Sequence, residues 1–197
     1  QISTGWVEAD GSRTFRPVQS VNRDAMAAFL YRLNGVLTPP LSTYPMRVSV
    51  ASAGTQADAG SHESAISADG RWVAYRSGAS NLVPGDTNAT FDIFLWDRDT
   101  RSTTRVSVAT AGTQANNGSS DPSISGDGRW VTYRSGASNL VAGDTNDTSD
   151  VFLWDRDTGA TSRISVATDG TQADGWSDAP AISGDGRWIV FRSAASN

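Results

Sequence analysis

A block of 58 residues recurs without insertion through most of the 197-residue chain. "RVSVASAGTQADAGSHESAISADGRWVAYRSGASNLVPGDTNATFDIFLWDRDT" starts at Arg47, a near copy starts at Arg105, and a third runs from Arg163 to Asn197. About 40 of the 58 positions are identical between the first two copies. A fixed period of this length means one supersecondary unit stacked on copies of itself. The unit reads as strands. Asp69-Gly70 is a hairpin signal ahead of Trp, Val and Tyr, placing a strand within 69–77. Residues 92–99 carry Ile93 and Leu95 on one face and Phe94 and Trp96 on the other, so that strand needs cover on both sides. Val106 and Val108 alternate with polar neighbours in 103–109, and 122–125 forms a short fourth strand.

Four antiparallel strands per repeat, buried on both faces, point to blades of a β-propeller. The rival, a β-solenoid, has much shorter coils and lacks Asp-Gly hairpins. The expected fold is therefore all-β, blades of four antiparallel strands with a short helical segment at the N-terminus. A lone strand at 47–51, two full units (47–104 and 105–162) and two strands of a third (163–197) make about two and a half blades, whereas closed propellers have about four or more. That count is expected of a fragment of a longer protein, with copies pairing through open blade edges as the alternative.

The Ser-x-Asp-Gly-Arg-Trp segment before an aliphatic-aromatic strand, as in "SADGRWVAYRS" (67–77), resembles the repeat of TolB-like β-propellers. "SNLVxGDTNxxxDVFLWDRDTG" looks like a long-repeat variant found in exported bacterial proteins. The resemblance covers residues 46–197 and implies a fold that hosts many roles. Residues 1–35 differ. "VNRDAMAAFLYRLNG" reads as a helix with Asn22 as N-cap and Gly35 as stop; Met26, Phe29, Leu30 and Leu33 share one face. With "DGSRTFRP" before it, the segment resembles the second half of an S-layer homology module, although Ser12 and Arg13 look inserted and Asn22 stands where that family has Thr. The resemblance implies that Arg23 touches an anionic cell-wall polysaccharide. An exposed first-turn arginine is the plainer reading. Residues 36–45, "VLTPPLSTYP", read as a stiff linker.

Several functions are excluded or disfavoured. A net charge of −5 with no basic cluster speaks against nucleic acid as a partner. The absence of cysteine excludes disulfides, thiolate catalysis and cysteine-type zinc sites. No stretch approaches the roughly 18 apolar residues of a membrane helix, so no membrane insertion is expected. No Gly-x-Ser-x-Gly elbow is present, and His62 becomes Ser120 and Asp178 in the other copies, so no serine-type triad is expected. Asp97 and Asp99 recur as Asp155 and Asp157. A catalytic carboxylate pair is a single asymmetric site, so this repeated pair reads as a hairpin turn. No catalytic residue and no certain cofactor are expected.

Two further features suggest ligands. Trp72, Trp130, Trp188, Trp96 and Trp154 read as core, but Trp176 stands in a loop where the other copies have Gly60 and Gly118, and is a ligand-contact candidate. Oxygen-bearing side chains alternate at Asp86, Asn88, Thr90 and Asp92, and again at Asp144, Asn146, Thr148 and Asp150. Such a run can feed calcium, which takes six to eight oxygens at about 2.3–2.6 Å. It also suits an Asx turn leading into a strand, and the glycine an EF-hand needs is replaced by Phe91 and Ser149. The function expected is a non-catalytic, exported or cell-surface propeller that binds or displays protein or cell-wall polysaccharide. An accessory domain of a larger secreted hydrolase and a surface-coat or filament subunit are the alternatives.

Overall fold

A computed structural model describes residues 45–197 and, nearer the N-terminus, two short strands, β1 (Trp6–Val7) and β2 (Arg13–Thr14). These two pair antiparallel, Trp6 opposite Thr14. The helix expected within 22–35, the candidate ligand residue Arg23, and linker residues 36–44 lie outside the described residues. So does the remainder of the S-layer-type segment.

The repeats form sheets of four antiparallel strands. Blade 1 comprises β3 (Ser61–Ile66), β4 (Trp72–Ser77), β5 (Asp92–Asp97) and β6 (Thr103–Arg105), hydrogen-bonded in that order. Blade 2 repeats it with β7 (Ser119–Ile124), β8 (Trp130–Ser135), β9 (Asp150–Asp155) and β10 (Thr161–Arg163). Only β11 (Ser177–Ile182) and β12 (Ile189–Ser193) follow, as a two-stranded third sheet. The protein is all-β through its repeats, with the blades of a propeller. Among the described residues no helix is long and apolar enough to cross a membrane.

The double-faced strand explains the stacking. On one side of blade 1, Val73, Tyr75, Phe94 and Trp96 pack with Val48, Ala79 and Leu82. On the other, Ala74, Ile93 and Leu95 meet Val131, Tyr133, Phe152 and Trp154 of blade 2. Burying each such side chain contributes about 1.5–3 kcal/mol, and the boundary between blades 1 and 2 gathers several of them. Trp188, expected in the core with the other strand tryptophans, is instead 70% exposed. No described blade follows the third sheet to cover it.

Three strand expectations need correction. The 103–109 strand ends at Arg105, because Val106 and Val108 leave the ladder: the Val108 N–H donates to the Val106 carbonyl (2.8 Å), a tight turn towards the next blade. Val106 then plugs the boundary, fully buried. Residues 47–51 behave alike and form no ladder strand; Val50 makes an isolated bridge to Gln56, as Val108 does to Gln114. The 122–125 strand, conversely, begins earlier, at Ser119. Pro122 hid this extension, but it sits where the register shifts between Ser120 and Ser123, so its missing N–H costs no ladder bond. The same shift occurs in all three first strands, with Glu63, Asp121 and Ala179 at φ 50°, 56° and 49°.

Candidate functional site

Strand register divides each blade into two ends. At one end, the Asp-Gly turn and the Asp-Arg-Asp-Thr turn lie side by side. Ser67 Oγ donates to Asp69 Oδ1 and accepts the Trp72 N–H, which locks the turn that Gly70 allows at φ 67°. Arg71 then forks onto Asp97, Nε to Oδ1 and Nη2 to Oδ2, both at 2.9 Å. That arginine, together with the Asp99 N–H and the Thr100 hydroxyl, holds the Asp97 carboxyl down to about 2. Arg129 and Asp155 reproduce the arrangement at 3.0 Å, also with a carboxyl near 2. The repeated carboxylates are thus turn anchors, and their lowered values suit neither a general acid nor a general base near neutral pH.

The opposite end gathers the starts of the first strands, the ends of the second and the lead into the third: Ser61 faces Ser77, which faces Asp92. Here an arginine stands one residue before the end of each second strand: Arg76, Arg134 and Arg192. Its surroundings change from copy to copy. Arg76 pairs with Glu63 (2.8 Å) and lies 3.9 Å from the centre of the Phe91 ring, which His62 meets edge-on at 6.1 Å. Arg134 donates to Ser120 Oγ (3.0 Å) and approaches Asp121 at 3.5 Å, with Ser149 where blade 1 has Phe91. Arg192 forks onto Asp178 at 2.8 and 2.7 Å, and its guanidinium carbon is 5.1 Å from the Trp176 ring centre. A cavity of about 360 Å³ opens beside His62, between Gly60, Gly78, Thr90 and Phe91.

Trp176 is 42% exposed and Phe91 is also exposed. Sequence inspection found Trp176 from its glycine counterparts. It missed Phe91, which was weighed only as a missing EF-hand glycine, and it treated His62 alone. The signal was available: Phe91 becomes Ser149 inside an otherwise repeated segment.

The alternating oxygen run belongs to the same end but points inward. Asp92 is fully buried and accepts hydrogen bonds from Ser107 Oγ and Asn88 Nδ2. Arg105 supplies the positive charge, its Nη1 3.1 Å from Asp86 and 3.7 Å from Asp92. Burial outweighs these partners and raises both carboxyls above their ordinary value. Thr90 joins through its backbone N–H to Asn88 Oδ1, while its hydroxyl lies beside Gly118. In blade 2, Asn146 donates to Asp150, Thr148 N–H to Asn146, and Arg163 approaches Asp144 and Asp150 at 3.4 and 3.7 Å. Asn88 and Asn146 turn an N–H₂ towards the carboxylate, and a guanidinium stands beside the acids. Among the described residues no group of three or more His, Cys, Asp or Glu side chains is placed to hold a metal ion.

No family model matches the chain, and no curated protein matches it either. Among solved structures, the chain is similar to TolB from Acinetobacter baumannii, with 18% identity and a TM-score of 0.45 over 78% of this chain. It is similar also to a TolB-type structure from Agrobacterium tumefaciens, with 22% identity and a TM-score of 0.45 over 70% of this chain. A third likeness is to the tricorn protease, with 14% identity and a TM-score of 0.43 over 68% of this chain. The chain spans 30%, 39% and 11% of the length of these three. The blade assignment itself rests on the strand ladders and their register.

Proposed function

We propose that this chain is a non-catalytic binding propeller, exported or displayed at the cell surface, that takes a protein or glycan segment across the arginine end of its blades. One observation carries the reading. Within a 58-residue repeat that otherwise repeats its architecture, the exposed substitutions at this end surround a constant arginine with different partners. Architecture needs the copies to be alike; a surface that recognises an asymmetric ligand needs them to differ. Exposed Trp176 and Phe91 supply flat apolar faces for a sugar ring or side chain, and the Arg–acid pairs beside them supply directional hydrogen bonds. His62 packs edge-on against Phe91 and so adds to the same contact surface. The extracellular setting is proposed on the resemblance of the repeat to exported bacterial proteins.

The test compares the wild type with the Phe91→Ala/Trp176→Ala pair, both for retention on insoluble bacterial cell-wall polysaccharide and in selection from a displayed peptide library. The wild type should retain glycan or enrich a peptide class, and the variant should lose at least about tenfold in affinity, or about 1.4 kcal/mol. Equal behaviour of the two proteins on every ligand captured, or capture of none, overturns the proposal.

A further inference from the structure

Two adjacent asparagines stand just before β7, both exposed, and their side chains are held differently. The Asn116 carboxamide is occupied: its Oδ1 accepts the Ser138 N–H and its Nδ2 donates to Ser138 Oγ, both at 3.0 Å. Asp58 takes the matching bonds from Ser80 in blade 1, and Asp174 from Ser196 in the third sheet. That tether belongs to the repeat.

Asn117 does not. Ala59 and Gly175 occupy its place in the other copies. Its Oδ1 accepts the N–H of the next residue, Gly118, at 2.8 Å. Gly118 has no side chain to screen its nitrogen, and its N–H makes no main-chain bond among the described residues. Its carbonyl, by contrast, is fixed, accepting the Gly136 N–H and Ser135 Oγ at 3.2 Å each. The nitrogen is therefore anchored from one side and faces the neighbouring carboxamide on the other.

We propose that Asn117 is a modification site, deamidating spontaneously through attack by the Gly118 nitrogen. The nitrogen loses its proton and bonds to Cγ of Asn117. The Cγ–Nδ2 bond breaks, and ammonia leaves with a proton. Water then opens the cyclic imide at either carbonyl, giving aspartate or isoaspartate at position 117. Water is the only co-reactant. Holding nucleophile and electrophile together is what makes such an intramolecular step fast. Each event adds one negative charge to the −5 of the chain, at the blade end that carries Arg134. Isoaspartate also lengthens the main chain just before Ser119, whose N–H bonds to the Phe91 carbonyl of blade 1 at 2.8 Å. Modification thus strains a contact between blades. This inference is independent of the ligand reading above.

The test incubates the folded protein at mildly alkaline pH and maps the tryptic peptide 106–129, which contains both asparagines, by mass spectrometry. Asn117 should gain about one mass unit, at least about tenfold faster than Asn116. The rate should climb with pH, because the nitrogen must lose its proton. It should also match or exceed the rate in the guanidinium-unfolded chain, since the fold supplies the alignment. Asn117→Ala, which installs the residue of blade 1, should keep the wild-type circular dichroism and show no mass gain in this peptide. No gain at Asn117, equal rates at the two asparagines, or a faster gain after unfolding would each overturn the proposal.

Discussion

Gly70, Gly128 and Gly186 make an internal experiment, because one residue type occupies one backbone conformation in three different surroundings. All three stand at φ near 70°, where an L side chain is strained by about 1–2 kcal/mol. Alanine at Gly70 meets nothing closer than 3.7 Å, so the strain is its whole cost. Alanine at Gly128 must also displace the Trp72 ring, which is held between Arg71 and Arg156 at 4.7 and 4.3 Å and cannot swing away freely. Overpacking of that kind adds about 1–3 kcal/mol. Gly128→Ala should therefore destabilise by about 2–5 kcal/mol, roughly double or more the effect of Gly70→Ala. Gly186→Ala, whose added carbon would stand 2.8 Å from the Trp130 ring, should fall between them. Urea denaturation of the three variants beside the wild type reads these losses. Equal losses at Gly70 and Gly128 would refute the idea that each indole is clamped by the turn of the next blade.

Two other outcomes follow from the site geometry. Asp97 and Asp155 have carboxyl values below those of the unfolded chain, so their contribution is complete above about pH 4 and is lost as the pH falls towards 2. Thermal melts should show a steeper fall between pH 4 and 2 for the wild type than for the Arg71→Met/Arg129→Met variant, and parallel curves would remove the arginine fork as the cause. Millimolar calcium or a chelator should leave the melting temperature unchanged, because Arg105 and Arg163 already stand beside the acids of the Gly-Asp-Thr-Asn loops; a rise of several degrees with calcium would show that a cation binds at these loops.

The blade was legible because its causes are local and repeated. Asp-Gly turns, a two-faced apolar strand and a constant period leave few architectures open, and β4, β5, β8 and β9 lie where these signals put them. The first strands were harder, since a bulge with positive φ at Glu63 and Asp121 disrupts alternation and admits Pro122. The polar run at 86–92 was legible as residues but not as chemistry. Alternation says that oxygens are frequent, and only the fold brings Arg105 and Ser107, fifteen or so residues further on, against them. Trp188 shows the reverse limit: its strand pattern is that of a core residue, while its burial depends on a neighbour the pattern does not describe.

The hydrogen bond from the Asp121 N–H to Glu63 Oε2, at 2.9 Å, has a kinetic consequence. Nearly identical blades offer a refolding chain several wrong neighbours of almost equal affinity, the setting in which multi-repeat proteins become trapped. Glu63 has the reach to make this bond, whereas Ala179 at the matching position of the third sheet has no carboxylate to offer. The acceptor is particular to blade 1, because Asp121 and Ala179 stand at its place in the other copies, while the donor is a main-chain N–H that every copy carries. Glu63→Ala would therefore leave the native contacts almost intact while removing the one side-chain bond that sets this boundary apart from the next, and refolding should slow if that bond helps blade 1 to hold its neighbour.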